Sequence, residues 1–281
     1  MRNSTFANNC AELDTAGAIY LAAFAVARFE GDDNNFTSNI CGMSGGVLAA
    51  TSNTNVTVEG GWFLNNKAEE NGGVFWSKGA VNITGGHFYE NEALGGGGVV
   101  YASQDSSRSV WNGHFEENKA LDGGVVFIDD HSALTVQGGR YSGNKARNGG
   151  GAFWKDDGGD IEITGGTFTK NKADFGGFLY VQGSGTSSCT GASVVEHSGI
   201  DGGAIYAVDG AVLEWACDLV KNKALVGPAI YAREGANVTV RGVNLSDNAI
   251  ARGSMVFVVS STLRTFQVVF SDTTRSQDLS A

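Results

Sequence analysis

The chain reads as an all-β protein, a right-handed parallel β-helix solenoid of about ten coils. A glycine pair recurs along it every 25 to 29 residues, a Phe-x-x-Asn signature sits between the pairs in constant phase, and short runs between the two alternate apolar with polar. A period in this range marks a solenoid or an array, and period-two alternation marks strands.

The glycine signature appears as AGAIY (16–20), GGVLA (45–49), GGVFW (72–76), GGVVY (97–101) and GGVVF (123–127). It continues as GGAFW (150–154), GGFLY (176–180), GGAIY (202–206), GPAIY (227–231) and RGSMV (252–256). Helical repeats tolerate glycine pairs badly, and the leucine ladder of leucine-rich repeats is absent. A glycine pair at a sharp corner permits the positive φ that other residues resist.

The second signature runs FANN (6–9), FTSN (36–39), FLNN (63–66), FYEN (88–91), FEEN (115–118), YSGN (141–144) and FTKN (168–171). It decays to VVEH (194–197), returns as LVKN (219–222) and LSDN (245–248), and fades at FSDT (270–273). Its aromatic is expected to point inward and stack on its equivalents. Its Asn suits a corner, because Asn tolerates the left-handed region and its amide can bond turn backbone. Stacked at ~4.8 Å, the amides of Asn39, Asn66, Asn91, Asn118, Asn144, Asn171, Asn222 and Asn248 form a candidate ladder.

The third element is strand. NVTV (55–58), AVNIT (80–84), ALTVQ (133–137), DIEIT (160–164) and NVTV (237–240) alternate with period two. About ten coils at the strand spacing make a rod roughly 50 Å long, read as one domain over residues 1–281.

Composition narrows the function classes. Forty-two glycines and a single proline, Pro228, exclude collagen, and 42% hydrophobic with 17% charged residues fits a packed core better than disorder. The net charge of −11 argues against non-specific nucleic-acid binding. The longest apolar run, Ala18–Ala27, is about half of a ~20-residue membrane span. No charged start followed by an apolar block, the mark of a signal peptide, follows Met1. The four cysteines show no zinc spacing, and no metal or cofactor is expected. Cys10 and Cys41 lie one residue out of phase in adjacent coils and are the expected disulfide, whereas Cys189 and Cys217 lie about three out of phase.

Paired GGA[IVL] and FxxN motifs resemble the repeats of the chlamydial polymorphic membrane proteins, most closely at Gly202–Ile205 and its variant Gly227–Ile230. The resemblance covers essentially the whole chain. It implies a β-helix passenger of a surface adhesin, which in that family lies between a signal sequence and a membrane barrel. Neither flanking part is in these residues, so the chain is expected to be a piece of a longer rod at the cell surface or outside the cell. FxxN already begins at Phe6, and MVFVV (255–259) and FQVVF (266–270) still read as strands. Open strand edges there predict end-to-end self-association.

Candidate sites follow from the columns. Trp76, Tyr101, Trp154, Tyr180 and Tyr206, with Tyr20, Phe127 and Tyr231, fall three residues after the second glycine position. The neighbouring aliphatic column, Ile19 to Ile230, is the better core candidate. The aromatics then face outward as a stripe for a surface glycan or protein partner, unless a turn folds both columns inside. Asp105, Asp129, Asp130, Asp156, Asp157 and Asp209 share one corner, with His131 beside Asp129 and Asp130. On a β-helix such a corner suits either a solvated turn or acid–base work on a uronate polymer. Lys67, Lys119, Lys145, Lys172 and Lys223 each follow the Asn of the signature, a column along which an anionic polysaccharide could lie. GGRYSGNK (138–145) lacks the Gly-Lys-Ser/Thr of a phosphate loop. The reading is a non-enzymatic, adhesin-like scaffold; the alternatives are a polysaccharide-active enzyme at the Asp/His corner and a pure spacer.

Overall fold

A computed structural model describes residues 1–103, 109–129 and 131–271. Its strands are all paired in parallel and form the expected all-β, right-handed β-helix of about ten turns. Each turn visits the same stations. An eleven-stranded Phe sheet runs from Thr5–Ala7 to Val269–Ser271, followed by short corner strands such as Lys67–Ala68. A ten-stranded aromatic sheet runs from Ile19–Leu21 to Val256–Val258, and a ten-stranded alternating sheet from Val26–Phe29 to Thr262–Phe266. No helix among the described residues is long and apolar enough to cross a membrane.

The core is built by register. Phe36, Phe63, Phe88, Phe115, Tyr141 and Phe168 pair residue for residue across the Phe sheet. Their rings stack inside the rod at 4.6–4.8 Å between centroids. The aliphatic column lines the facing sheet, from Leu48 and Phe75 to Ile205 and Ile230, all fully buried. Stacking like on like lets each coil bury its apolar face against its neighbours, which no single coil could do alone.

The two glycines of each pair answer different constraints. The first takes a positive φ, +67° at Gly72 and +69° at Gly97. The second lies against the next coil: a Cβ on Gly73 would stand 2.2 Å from the carbonyl oxygen of Gly98. Backbone freedom explains the first position and backbone clearance the second.

The Asn column is a buried ladder. Asn66 Nδ2 donates to Asn91 Oδ1 at 3.0 Å, Asn91 to Asn118 at 3.0 Å, and Asn118 to Asn144 at 2.9 Å. Asn39, Asn171, Asn222 and Asn248 belong to the same column. Each amide is fully buried, and its oxygen also accepts the backbone N–H of the preceding rung, as Asn91 Oδ1 does from Asn66. The left-handed corner residue is not this Asn but the one before it: Glu90 (φ 53°), Glu117 (54°), Lys170 (56°) and Lys221 (57°). That turn swings the Asn side chain inward, where its amide satisfies backbone groups that the corner leaves unpaired.

The expected Cys10–Cys41 disulfide is absent. The corner strands pair Ala11, not Cys10, with Cys41. An offset of one residue places the two thiols on opposite faces of the pleat, Cys10 exposed and Cys41 buried. Cys189 and Cys217 are bonded instead, with Cα atoms 5.7 Å apart. Cys189 pairs with Trp215, two residues before Cys217, an even offset that keeps both sulfurs on the inner face.

Candidate functional site

Three exterior surfaces carry chemistry. The first is the aromatic column. Trp76, Tyr101, Trp154, Tyr180 and Tyr206 alternate with the buried aliphatic column and lie outside the main core. From Tyr101 onward they stack on one another, with Phe127 and Tyr231 in the row. Ring centroids are 5.0 Å apart from Tyr101 to Phe127, 5.7 Å to Trp154, 3.8 Å to Tyr180, 5.2 Å to Tyr206 and 5.1 Å to Tyr231. Because the faces cover each other, the ladder turns ring edges to solvent. Tyr180 and Tyr206 are buried, while Trp76, at one end of the row, is half-buried with Lys78 Nζ 5.4 Å above its ring. Burial pushes the phenols of Tyr180 and Tyr206 up. Arg233 lies 5.5 Å over Tyr206. A flat platform for a sugar needs open ring faces, which this column offers sparingly.

The second surface is the Asp/His corner. Asp105 and Asp130 lie outside the described residues. Asp129 accepts the Tyr101 hydroxyl at 2.8 Å. Asp157 accepts both the backbone N–H (2.8 Å) and the hydroxyl (2.7 Å) of Ser184, which hold its pKa down. Burial, with Asp129 and Asp157 nearby, raises that of Asp156. His131 adopts φ 58° and its ring covers Gly158. The corner also encloses a charge that the sequence did not disclose. Lys155 shares the inward face of its strand with Phe153 and is fully buried. Its ammonium donates to the carbonyls of Gln182 (3.1 Å), Gly183 (3.3 Å) and Ser184. Burial lowers its pKa to about 8, against the pull of Asp160, Asp157 and Asp156. These carboxylates therefore serve as counter-charges to a buried lysine. Among the described residues no three His, Cys, Asp or Glu side chains converge as metal ligands.

The third surface was missed by sequence reasoning. On the outer face of the Phe sheet, Trp62, His87, His114 and Arg140 occupy the residue before the core aromatic in successive coils. Trp62 stacks on His87 at 4.1 Å, and His87 on His114 at 4.9 Å. Arg140 Nε lies 2.7 Å from Glu116 Oε1. Leu64 and Tyr89 form the opposite wall of an open trough of about 370 Å³. Trp62 is 44% exposed and Tyr89 40%, so aromatic surface is available here as it is not in the ladder. Burial, and then the neighbouring His114, lower the pKa of His87, which favours the neutral imidazole stacked on the indole. Trp, His, His and Arg do not repeat a single residue type, so only strand register and the stacking of Trp62, His87 and His114 show that they form one row.

No protein-family model, curated protein or solved structure matches the chain.

Proposed function

We propose that the chain is a non-enzymatic, extracellular or cell-surface β-helix scaffold with an adhesin-like role, binding a glycan in the trough of Trp62, His87 and His114. The observation that carries this reading is the trough: exposed aromatic surface on both walls, an Arg140–Glu116 ion pair at one end, and a direction along the rod that suits an extended polymer. Indole and phenol rings supply apolar contact for the C–H face of a sugar, and the ion pair and imidazoles supply hydrogen bonds to its hydroxyls. The buried Cys189–Cys217 bridge favours an oxidising compartment.

The enzymatic alternative at Asp129, Asp156 and Asp157 is the poorer reading, because these groups already serve Tyr101, Lys155 and Ser184. A glycan array probed with the wild-type chain and with Trp62→Ala tests the proposal. Signals present in the first and lost in the second, with unchanged melting, support it. An array that does not distinguish the two, or cleavage of alginate or pectate by the wild type, overturns it.

A further inference from the structure

The trough leaves the corner past the Phe sheet unused, and there the charge pattern changes. The chain carries −11 overall with 19 basic residues, yet Lys145, Lys170, Lys172, Lys221 and Lys223 gather within a few coils of one corner. Across this corner Lys145 pairs with Lys172, Lys172 with Ser198, and Ser198 with Lys223. Lys170 and Lys221 stand in the preceding left-handed position of their coils. Ser198 interrupts the lysine column with a short side chain. The result is an open notch of about 410 Å³ lined by Lys170, Glu196, Ser198, Lys221, Lys223 and Asp247. Lys145 is engaged with Glu117 at 3.2 Å, but Lys170 and Glu196 are 3.9 Å apart with side chains 70% and 42% exposed, an ion pair too solvated to cancel its charge.

Spacing selects the ligand. Two coils separate Lys172 from Lys223, and two separate Lys170 from Lys221, which is ~10 Å at the strand spacing. This is about the length of a disaccharide in an extended polysaccharide with one acidic group per repeat. Phosphates along a nucleic-acid strand recur every ~3.4 Å of axis, and such a density of charge would meet Glu196 and Asp247 inside the notch. We propose that the notch is a binding site for an acidic polysaccharide, sulfated or uronate-bearing, laid along the rod. Lys172, paired with Ser198 beside the notch, and Lys223 within it hold successive acidic groups, and the Ser198 hydroxyl donates to a sugar or acid oxygen between them. The notch shares no residue with the trough.

Fluorescently labelled hexasaccharides of hyaluronan and of keratan sulfate, which carry one carboxylate or about one sulfate per disaccharide, titrated into the whole chain at low and high salt, test this. Binding of either, weakened by salt, is expected. Lys172→Gln/Lys223→Gln is expected to bind roughly tenfold more weakly, the loss of about two exposed ion pairs. Ser198→Glu, which puts a carboxylate on the floor, should do the same with the lysines intact, so a folding defect in the lysine variant leaves a second reading. No binding of either hexasaccharide, equal binding by wild type and Ser198→Glu, or equally tight binding of an oligonucleotide duplex overturns the proposal. Trp62→Ala is expected to leave this affinity unchanged.

Discussion

His197 takes the place of an asparagine in the ladder by bonding Asn171. Its Nδ1 accepts the backbone N–H of Asn171 at 3.1 Å, as an Asn Oδ1 does elsewhere, and its Nε2–H donates to the carbonyl of Phe168 at 3.1 Å, as an Asn Nδ2 does elsewhere. The pair of bonds requires the neutral imidazole protonated on Nε2. The substitution is incomplete. Asn222 Oδ1 receives only the backbone N–H of His197, whereas in the other rungs it would also receive a side-chain N–H.

This rung makes stability depend on pH. Burial depresses the His197 pKa to about 3 from an ordinary 6.5. Between those values the unfolded chain holds a proton that the folded chain lacks, so stability is complete above pH 6.5 and falls as pH drops toward 3. The slope from this group is about 1.4 kcal/mol per pH unit crossed. His197→Asn removes the titration and restores the amide-to-amide bonds. Urea melts at pH 7 and pH 4.5 should show a smaller acid loss in His197→Asn than in the wild type. Equal losses would refute the assignment.

The fold was legible because its signals repeat: ten glycine corners and a column of Phe-x-x-Asn leave one architecture. What repeats chemically was read; what repeats only in position was not. VVEH looked like decay of the signature, yet His197 performs the work of the amide because it offers one acceptor and one donor at similar reach. The disulfide was misassigned because sequence phase ignores which way a pleat faces; Cys10 and Cys41 are near in phase but opposed in direction. Lys155 could not be seen as buried, since only the carbonyls of the next turn make its inward orientation tolerable.

The left-handed corner before each ladder Asn predicts an unusual gain from glycine. A left-handed conformation costs an L-residue ~1–2 kcal/mol, and glycine's looser unfolded chain returns ~0.5–1 kcal/mol of that. Glu90→Gly is therefore expected to raise stability by a few tenths to about 1 kcal/mol. Position 143 already carries the glycine, at φ 67°, and a Cβ there would stand 2.2 Å from Glu117 Oε1. Gly143→Ala should lose ~1 kcal/mol or more and loosen the Glu117–Lys145 pair. Denaturant melts of the two variants should move in opposite directions; a shared direction would mean that the corner does not impose this conformation.

The external aromatic ladder should behave as a second, shallower core whose cost of truncation follows position. Tyr206 is 2% exposed, stacked between Tyr180 and Tyr231, with Phe175 at 5.2 Å and Arg233 above it. Tyr206→Ala is expected to cost close to the ~3–5 kcal/mol of a buried aromatic, near that of Phe115→Ala inside the rod. Trp76 pairs with Ala49 on one side and is half-buried, so Trp76→Ala should cost much less, ~1–2 kcal/mol. Gly149 supplies an independent probe of the same ladder. A Cβ there would lie 2.6 Å from Trp154 Cζ3 and 2.7 Å from Tyr180 Cδ2. Gly149→Ala must therefore push apart the tightest stacked pair in the row and should destabilise as Tyr206→Ala does. Thermal melts rank the four variants. A Trp76→Ala loss as large as that of Phe115→Ala, or a Tyr206→Ala loss under ~1 kcal/mol, would show that the ladder contributes to stability in some way other than ring-on-ring burial.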